Sequence, residues 1–378
     1  MKKSVFLFLM IMLHFVSNAA IIIVSNNPNV PGQYSSLQAA IDAAASNDTL
    51  YIQGSTTSYG DVNLYKKLTL IGVGAMPNKS LSLPSQIGYV YIKYTDDGTS
   101  NGSGSSIYGC KVYVITLVGK NINNVYNTIN NITLSRNHII GIGSNAYPYG
   151  DSTFSGININ NNYVSTIYLD RLGSGSVIKN NIINNGIQGT GHINSGNWLV
   201  LNNVIHYRVS GCTNGIFINN IIYGYDGVNC SSLTYCDFTK NIFYTPSSTQ
   251  FDPGFLSAYM LNNNHNTTSG NIINQNPDFV FYDNNQNLGS YSTSYPGTGP
   301  FIDYHINNNS PGKNYGTDGT DIGIYGGITP FVEGATTDSR FRYFPMPAMP
   351  QMLDLTITNQ SIPANSTLNV NFNAEKKN

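Results

Sequence analysis

Charge is what this chain has least of. Only 10% of its 378 residues are Asp, Glu, Lys or Arg, against roughly 25% in an ordinary soluble domain. Its 18 Lys and Arg offset 19 Asp and Glu, so there is no basic field for nucleic acid and no polybasic membrane patch. The same scarcity disfavours a coiled coil or a charge-faced helical bundle. Cysteine is also sparse. Cys110, Cys212, Cys230 and Cys236 include no Cys-x-x-Cys pair, and their spacings match no zinc pattern. No G-x-S-x-G, H-E-x-x-H or phosphate-binding loop motif occurs. Beyond the N-terminus, no apolar run reaches the length of about 18 residues that a membrane span needs.

What is abundant is Asn, at 53 residues, with 37 Gly and 27 Tyr. Hydrophobic residues make up 40%, enough to separate this chain from disordered sequences, which combine high charge with few aromatics. A sheet-rich fold with many Asn and Gly turns fits.

The N-terminus reads as a targeting segment. Lys2 and Lys3 precede an apolar run from Val5 to Val16, followed by the small or polar residues Ser17, Asn18, Ala19 and Ala20. A basic start, an apolar stretch of about a dozen residues and a small-residue cleavage site describe a secretory signal peptide over 1–19. The expected mature chain carries 16 basic and 19 acidic residues, a net charge near −3. It is expected to be a soluble monomer, secreted or held at the cell surface. Export permits disulfides. A chain this long can bury its core without them, so unpaired buried thiols are expected, with a Cys212–Cys230 or Cys230–Cys236 bridge as the alternative.

One phrase recurs: an alternating apolar stretch, one or two Asn, then two apolar residues. Its last Asn falls at Asn137, Asn162, Asn181, Asn203, Asn220, Asn241 and Asn271, at gaps of 25, 19, 22, 17, 21 and 30 residues. A period near 20 suits a leucine-rich repeat or a β-solenoid. The Leu framework and 3.6-residue periodicity of the former are missing. The alternation has period two, as in a strand facing a core. Asn following the strand fits a turn residue in the left-handed region. Coils stacked about 4.8 Å apart would let these amides hydrogen-bond along the stack. Low charge then has a cause, because stacking sets like charges on neighbouring coils too close together.

Before the repeats, SSLQAAIDAAAS at 35–46 reads as a short amphipathic helix with Leu37, Ala40, Ile41 and Ala44 on one face and Ser35 or Ser36 as N-cap. A turn at Asn47-Asp48 leads to the strand TLYIQG, and KKLTLIGVG at 66–74 forms another. A helix here would cover the open edge of the first coil.

These segments carry a resemblance. YSSLQAAIDAAASNDTLYIQG followed by KKLTLIGVG resembles the start of right-handed parallel β-helix proteins of the pectin lyase-like superfamily. NSPGKNYGTDGTDIGIYGG at 309–327 resembles the closing motif of a group of exported bacterial β-helix proteins, many without assigned activity, and residues 344–372 resemble the segment that often follows it. The expected fold is all-β: a single-stranded right-handed parallel β-helix over 20–330, with an N-terminal capping helix. A Pro-rich linker and short β tail over 331–378 follow, with strands at 352–358 and 367–372.

The resemblance implies two chemistries on the lateral face of such a solenoid. Lyases use an acidic calcium site with an Arg or Lys base, and hydrolases use paired Asp residues. Either needs charges in register on neighbouring coils. Aligning coils on the repeat Asn brings His206, Arg208, Tyr223, Tyr225 and Tyr244 into one patch, with Asp226 beside it. Aromatic faces stack on sugar rings, and Arg and His donate to hydroxyls or carboxylates. These six are the candidate carbohydrate-binding residues, although exposed Tyr, His and Arg also occur on sheets simply as solvated surface. Asp170-Arg171, Asp96-Asp97 and His192 read as turn residues. Asp237 sits on the strand side of the next repeat. Asp318 and Asp321 could ligate calcium but lack a full set of oxygen ligands at the right spacing, so no cofactor is implied. The favoured expectation is an exported β-helix that binds a polysaccharide or cell-surface glycan, or serves as a scaffold. The alternative is a polysaccharide lyase or glycoside hydrolase acting on an acidic polysaccharide in the lateral groove.

Overall fold

The computed structural model describes residues 19–28, 30–74, 83–145, 153–168, 171–189, 197–224, 229–245, 265–281, 303–331, 350–357 and 370–376. Within these, the chain is a parallel β-helix. Its coils build two long sheets, one of 11 strands and one of 13, and every strand pair within them is parallel. Each strand pairs with its counterpart one coil later: Thr133, Asn158, Val177 and Leu199 occupy successive rungs of the first sheet, and His138, Tyr163, Ile182 and Val204 do so in the second.

Stacking places like upon like in the core. Leu134, Ile159, Ile178, Val200, Phe217 and Phe238 line the inside of the first sheet, and Ile139, Val164, Ile183, Ile205, Ile222 and Phe243 line the second, all fully buried. Phe217 and Phe238 stack with ring centroids 4.6 Å apart and 7° between planes. At about 25 cal/mol per Å² of apolar surface removed from water, such rows are the main term that joins each coil to its neighbours.

The bend between the sheets is a two-residue device. The first residue takes a left-handed conformation: Arg136, Asn161, Asn180, Asn202, Asn219, Lys240 and Gly270 have φ between 51° and 61°. The second is the repeat Asn, whose side chain turns inward. The expectation that the repeat Asn itself supplies the left-handed turn is therefore corrected by one position. The amide ladder forms over all seven residues. The side-chain oxygen of Asn203 accepts from the backbone N–H and Nδ2 of Asn181 at 2.9 and 3.0 Å, and the same pair of bonds joins each rung from Asn137 to Asn271. Asn137 through Asn241 are buried with no exposed surface. A buried amide is tolerable only when its polar atoms are bonded, and the ladder does this through bonds to carbonyls of the preceding coil as well.

The N-terminal end of the stack is finished by other elements. Helix α1 (Leu37–Ala43) starts at Ser36, whose hydroxyl accepts from the Ala39 N–H, and buries Leu37, Ala40 and Ile41 against the first coil. The free edge of the first strand (Ile21–Val24) is taken up by residues 33 and 34 through their backbone N–H groups, which both donate to the Ile23 carbonyl. Toward the C-terminus, Phe279–Phe281 and Asp303–Ile306 form an antiparallel pair, and residues 307–331 then run back along the second sheet. The tail contains an antiparallel hairpin of Pro350–Ile357 with Val370–Lys376. All four cysteines are free, buried thiols. No helix among the described residues is long and apolar enough to cross a membrane. Residues 1–18 of the expected signal peptide, together with Asp170, His192, Tyr225 and Asp226, lie outside the described residues.

Candidate carbohydrate-binding face

The outer face of the second sheet is where sequence alignment placed the aromatic patch, and part of that row exists. His206, Tyr223 and Tyr244 are register partners on three successive coils, with ring centroids 5.6 and 5.5 Å apart. They do not form an open surface. His206 and Tyr223 are buried, at 4% and 3% exposure, because residues 279–281 and 303–331 cover them. The His206 Nε2 is 3.1 Å from the Tyr304 hydroxyl, and Tyr223 packs against Phe279. Burial pushes the His206 imidazole down to about 3, so it is neutral at physiological pH. Arg208 is half-buried with its guanidinium over the Tyr207 ring, 5.6 Å from its centroid. Its register partner on the next coil is Asn229 rather than Tyr225, since extra residues intervene before the strand resumes.

The covering segment explains a sequence signal that alternation alone does not reveal. The first of the two apolar residues after each late ladder Asn (Ile182, Val204, Ile221, Ile242 and Ile272) points outward. It joins Phe279, Tyr304, Ile306, Ile322, Ile324 and Phe331 in a second core. Two consecutive apolar residues in a strand mean burial on both faces. The left-handed corner residues anchor the strap as it passes. Asn219 exchanges bonds with Thr317, Asn180 donates to the carbonyls of Ile324 and Gly326, and Lys240 lies 4.9 Å from the Tyr315 ring centroid.

The acids are committed to local structure. Asp318 accepts from the Thr320 N–H and hydroxyl, the hydroxyl bond chiefly holding its carboxyl below the usual range. Asp321 pairs with Lys313 at 2.8 Å and accepts from the Asn314 N–H. Asp97 is lowered to about 2, first by its bond from Thr95 and then by Thr99. Asp237 lies on the outside of the first sheet, bonded to Thr239, on a different wall from Arg208. Among the described residues no three His, Cys, Asp or Glu side chains come together as a metal site.

In the N-terminal half the same face is open to solvent among the described residues. There the row that is apolar under the strap reads Gln86, Lys111 and His138, and it is sealed again at the next rung by Tyr163, which is 4% exposed and packs in the second core. Burial, then the neighbouring Lys111 charge, lowers His138 to about 4, and its ring meets Tyr163 edge-on at 5.0 Å. Tyr89 stacks on Tyr91 at 5.9 Å and 8°, and meets Tyr113 edge-on at 5.2 Å. Tyr113 is 47% exposed, and Tyr168, on the same face two coils further on, is 45% exposed. These residues precede the first ladder Asn, or stand apart from its phrase. Alignment on that Asn therefore had no means of finding them.

No protein-family model matches the sequence. No curated protein matches it either.

Proposed function

We propose that the chain is an exported, monomeric β-helix protein of the pectin lyase-like superfamily that binds carbohydrate on the outer face of its second sheet without cleaving it. The observation that supports binding is the solvent-facing tyrosine cluster of Tyr89, Tyr91 and Tyr113. Tyrosine offers an apolar ring with a polar rim, the combination that suits a sugar ring with its own apolar face and hydroxyl edge. Support for the absence of turnover comes from the acids. Retaining and inverting hydrolases need two carboxyls about 5–9 Å apart, and Asp97, Asp237, Asp318 and Asp321 are each taken up by threonines, a backbone amide or a lysine.

Glycan-array binding of the mature protein, run beside reducing-end and 235 nm absorbance assays on acidic polysaccharides with and without calcium, tests the reading. Binding with no new reducing ends and no absorbance gain is expected. Turnover would replace it with the lyase or hydrolase reading.

A further inference from the structure

Among the described residues, nothing in the structure requires two glycines on the open face to be glycine. Gly141 and Gly143 lie within the strand His138–Asn145, where a missing side chain weakens the sheet and commonly marks the close approach of another molecule. Neither is at positive φ. A Cβ added to Gly141 would come no nearer than 3.6 Å to Val114, and one added to Gly143 would lie 3.6 Å from the Tyr168 carbonyl oxygen, among the described residues. Both are ordinary van der Waals distances, so neither backbone geometry nor crowding accounts for them.

The register shows what they leave bare. Gly143 sits between Thr116 and Tyr168, and Thr116 in turn pairs with Tyr91. Tyr91 and Tyr168 are therefore three strand spacings apart, roughly 14 Å at about 4.8 Å each. A low floor of Thr116 and Gly143 lies between two aromatic flanks, with Tyr89 and Tyr113 extending one of them.

Polarity selects the occupant. Where this chain's own segment covers the sheet, the outward row is Ile182, Val204, Ile221 and Ile242. A protein strap or a lipid would need the same. On the open half that row is Gln86, Lys111 and His138, with Asp61 bonded to the Tyr89 N–H nearby. One lysine and one aspartate give no net field for nucleic acid or a polyanion. We infer that the saddle formed by Gly141 and Gly143 between the Tyr89–Tyr91–Tyr113 cluster and Tyr168 is a binding groove for an uncharged, extended polysaccharide chain. This rests on the carbohydrate-binding reading above and fixes its site and ligand class.

Isothermal titration of the mature protein with soluble xyloglucan and mixed-linkage β-glucan, and with polygalacturonate, tests it. The neutral chains should bind and the polyuronate should not. Gly143→Leu, which fills the floor, and Tyr89→Ala/Tyr113→Ala, which removes a flank, should each weaken binding by about tenfold or more, with the thermal midpoint unchanged. If Gly143→Leu does not fold, Tyr168→Ser, at an exposed position, takes its place with the same expectation. Neutral-glycan binding unaffected by these substitutions would overturn the groove while leaving carbohydrate binding standing. Binding of polygalacturonate alone would overturn the ligand class. Failure of all three polysaccharides to bind would remove both this site and the carbohydrate reading beneath it.

Discussion

Replacing Asn203 with Ala separates the two jobs that adjacent asparagines do at each bend. The Asn203 side chain makes five hydrogen bonds. Its oxygen accepts from the N–H and Nδ2 of Asn181, and its Nδ2 donates to the carbonyls of Ile178 and Leu201 and to Oδ1 of Asn220, all at 2.9–3.0 Å. Several partners keep a second bond. The Leu201 carbonyl still receives the Asn180 N–H, Asn220 Oδ1 still receives the Asn203 N–H, and Asn181 Nδ2 still reaches Ile159 and Lys179. The Asn181 N–H loses its side-chain acceptor and the Ile178 carbonyl loses a donor, at a site with no exposed surface. At about 1–3 kcal/mol per buried group left short of a partner, the expected loss is about 3 kcal/mol. Asn202→Gly, one residue away, keeps the φ of 53° at little cost, and the Asn202 Nδ2 has no partner to lose. Its effect should stay within about 0.5 kcal/mol. Urea midpoints by far-UV circular dichroism compare the two, and native-state hydrogen exchange reads the Asn181 N–H directly, which matters because repeat arrays need not unfold in one step. Equal midpoints for the two variants, with Asn181 still fully protected, would refute the ladder as a source of stability.

Three further outcomes follow from the same packing. His206 has a folded pKa of about 3, below its unfolded value of about 6.5. The unfolded state thus takes up a proton first, and stability is lost as pH falls below about 6.5; between there and pH 4 the loss is about 3 kcal/mol. His206→Phe should flatten that dependence, leaving the part due to His138, and an unchanged pH profile would contradict the burial. The thiols, pushed up by burial to about 12 for Cys110 and Cys230 and about 11 for Cys236, should resist a thiol reagent at pH 8 until denaturant is added. Rapid labelling of the native protein would show the core to be open there. Ile324→Asp should loosen the strap by placing a charge within its apolar contact with the second sheet. Increased binding of a hydrophobic dye without loss of far-UV signal is expected, and wild-type dye binding would argue against a sealed face.

Much of the architecture was legible because a solenoid repeats one local solution. The seven ladder residues could be picked out by the phrase that recurs around them, and the helix start was narrowed to Ser35 or Ser36, of which Ser36 forms the cap. The left-handed residue was misplaced by one because Asn supplies both positions in four of the coils. Arg136, Lys240 and Gly270, which take the left-handed position without being Asn, are where the sequence distinguishes the two roles. The site was less legible. Period-two alternation implies one buried face, so the pairs Ile182-Ile183 and Ile221-Ile222 carried a message about a second layer that only the course of residues 303–331 explains. His206 and Tyr223 were correctly aligned yet lie beneath that layer, since register says nothing of what covers a row. Tyr89, Tyr91 and Tyr113 belong to coils that have no ladder Asn; ahead of Tyr113 the corner residue is Cys110, whose backbone N–H donates to the Asn137 side-chain oxygen.

Hydroxyl-radical footprinting of the mature protein tests the division of the second sheet into a sealed half and an open half. Tyr113 and Tyr168, at 47% and 45% exposure, should oxidise readily, while Tyr223 and Tyr304, at 3% and 4%, should be protected until the protein unfolds. Comparable oxidation of all four in the native state would contradict the account.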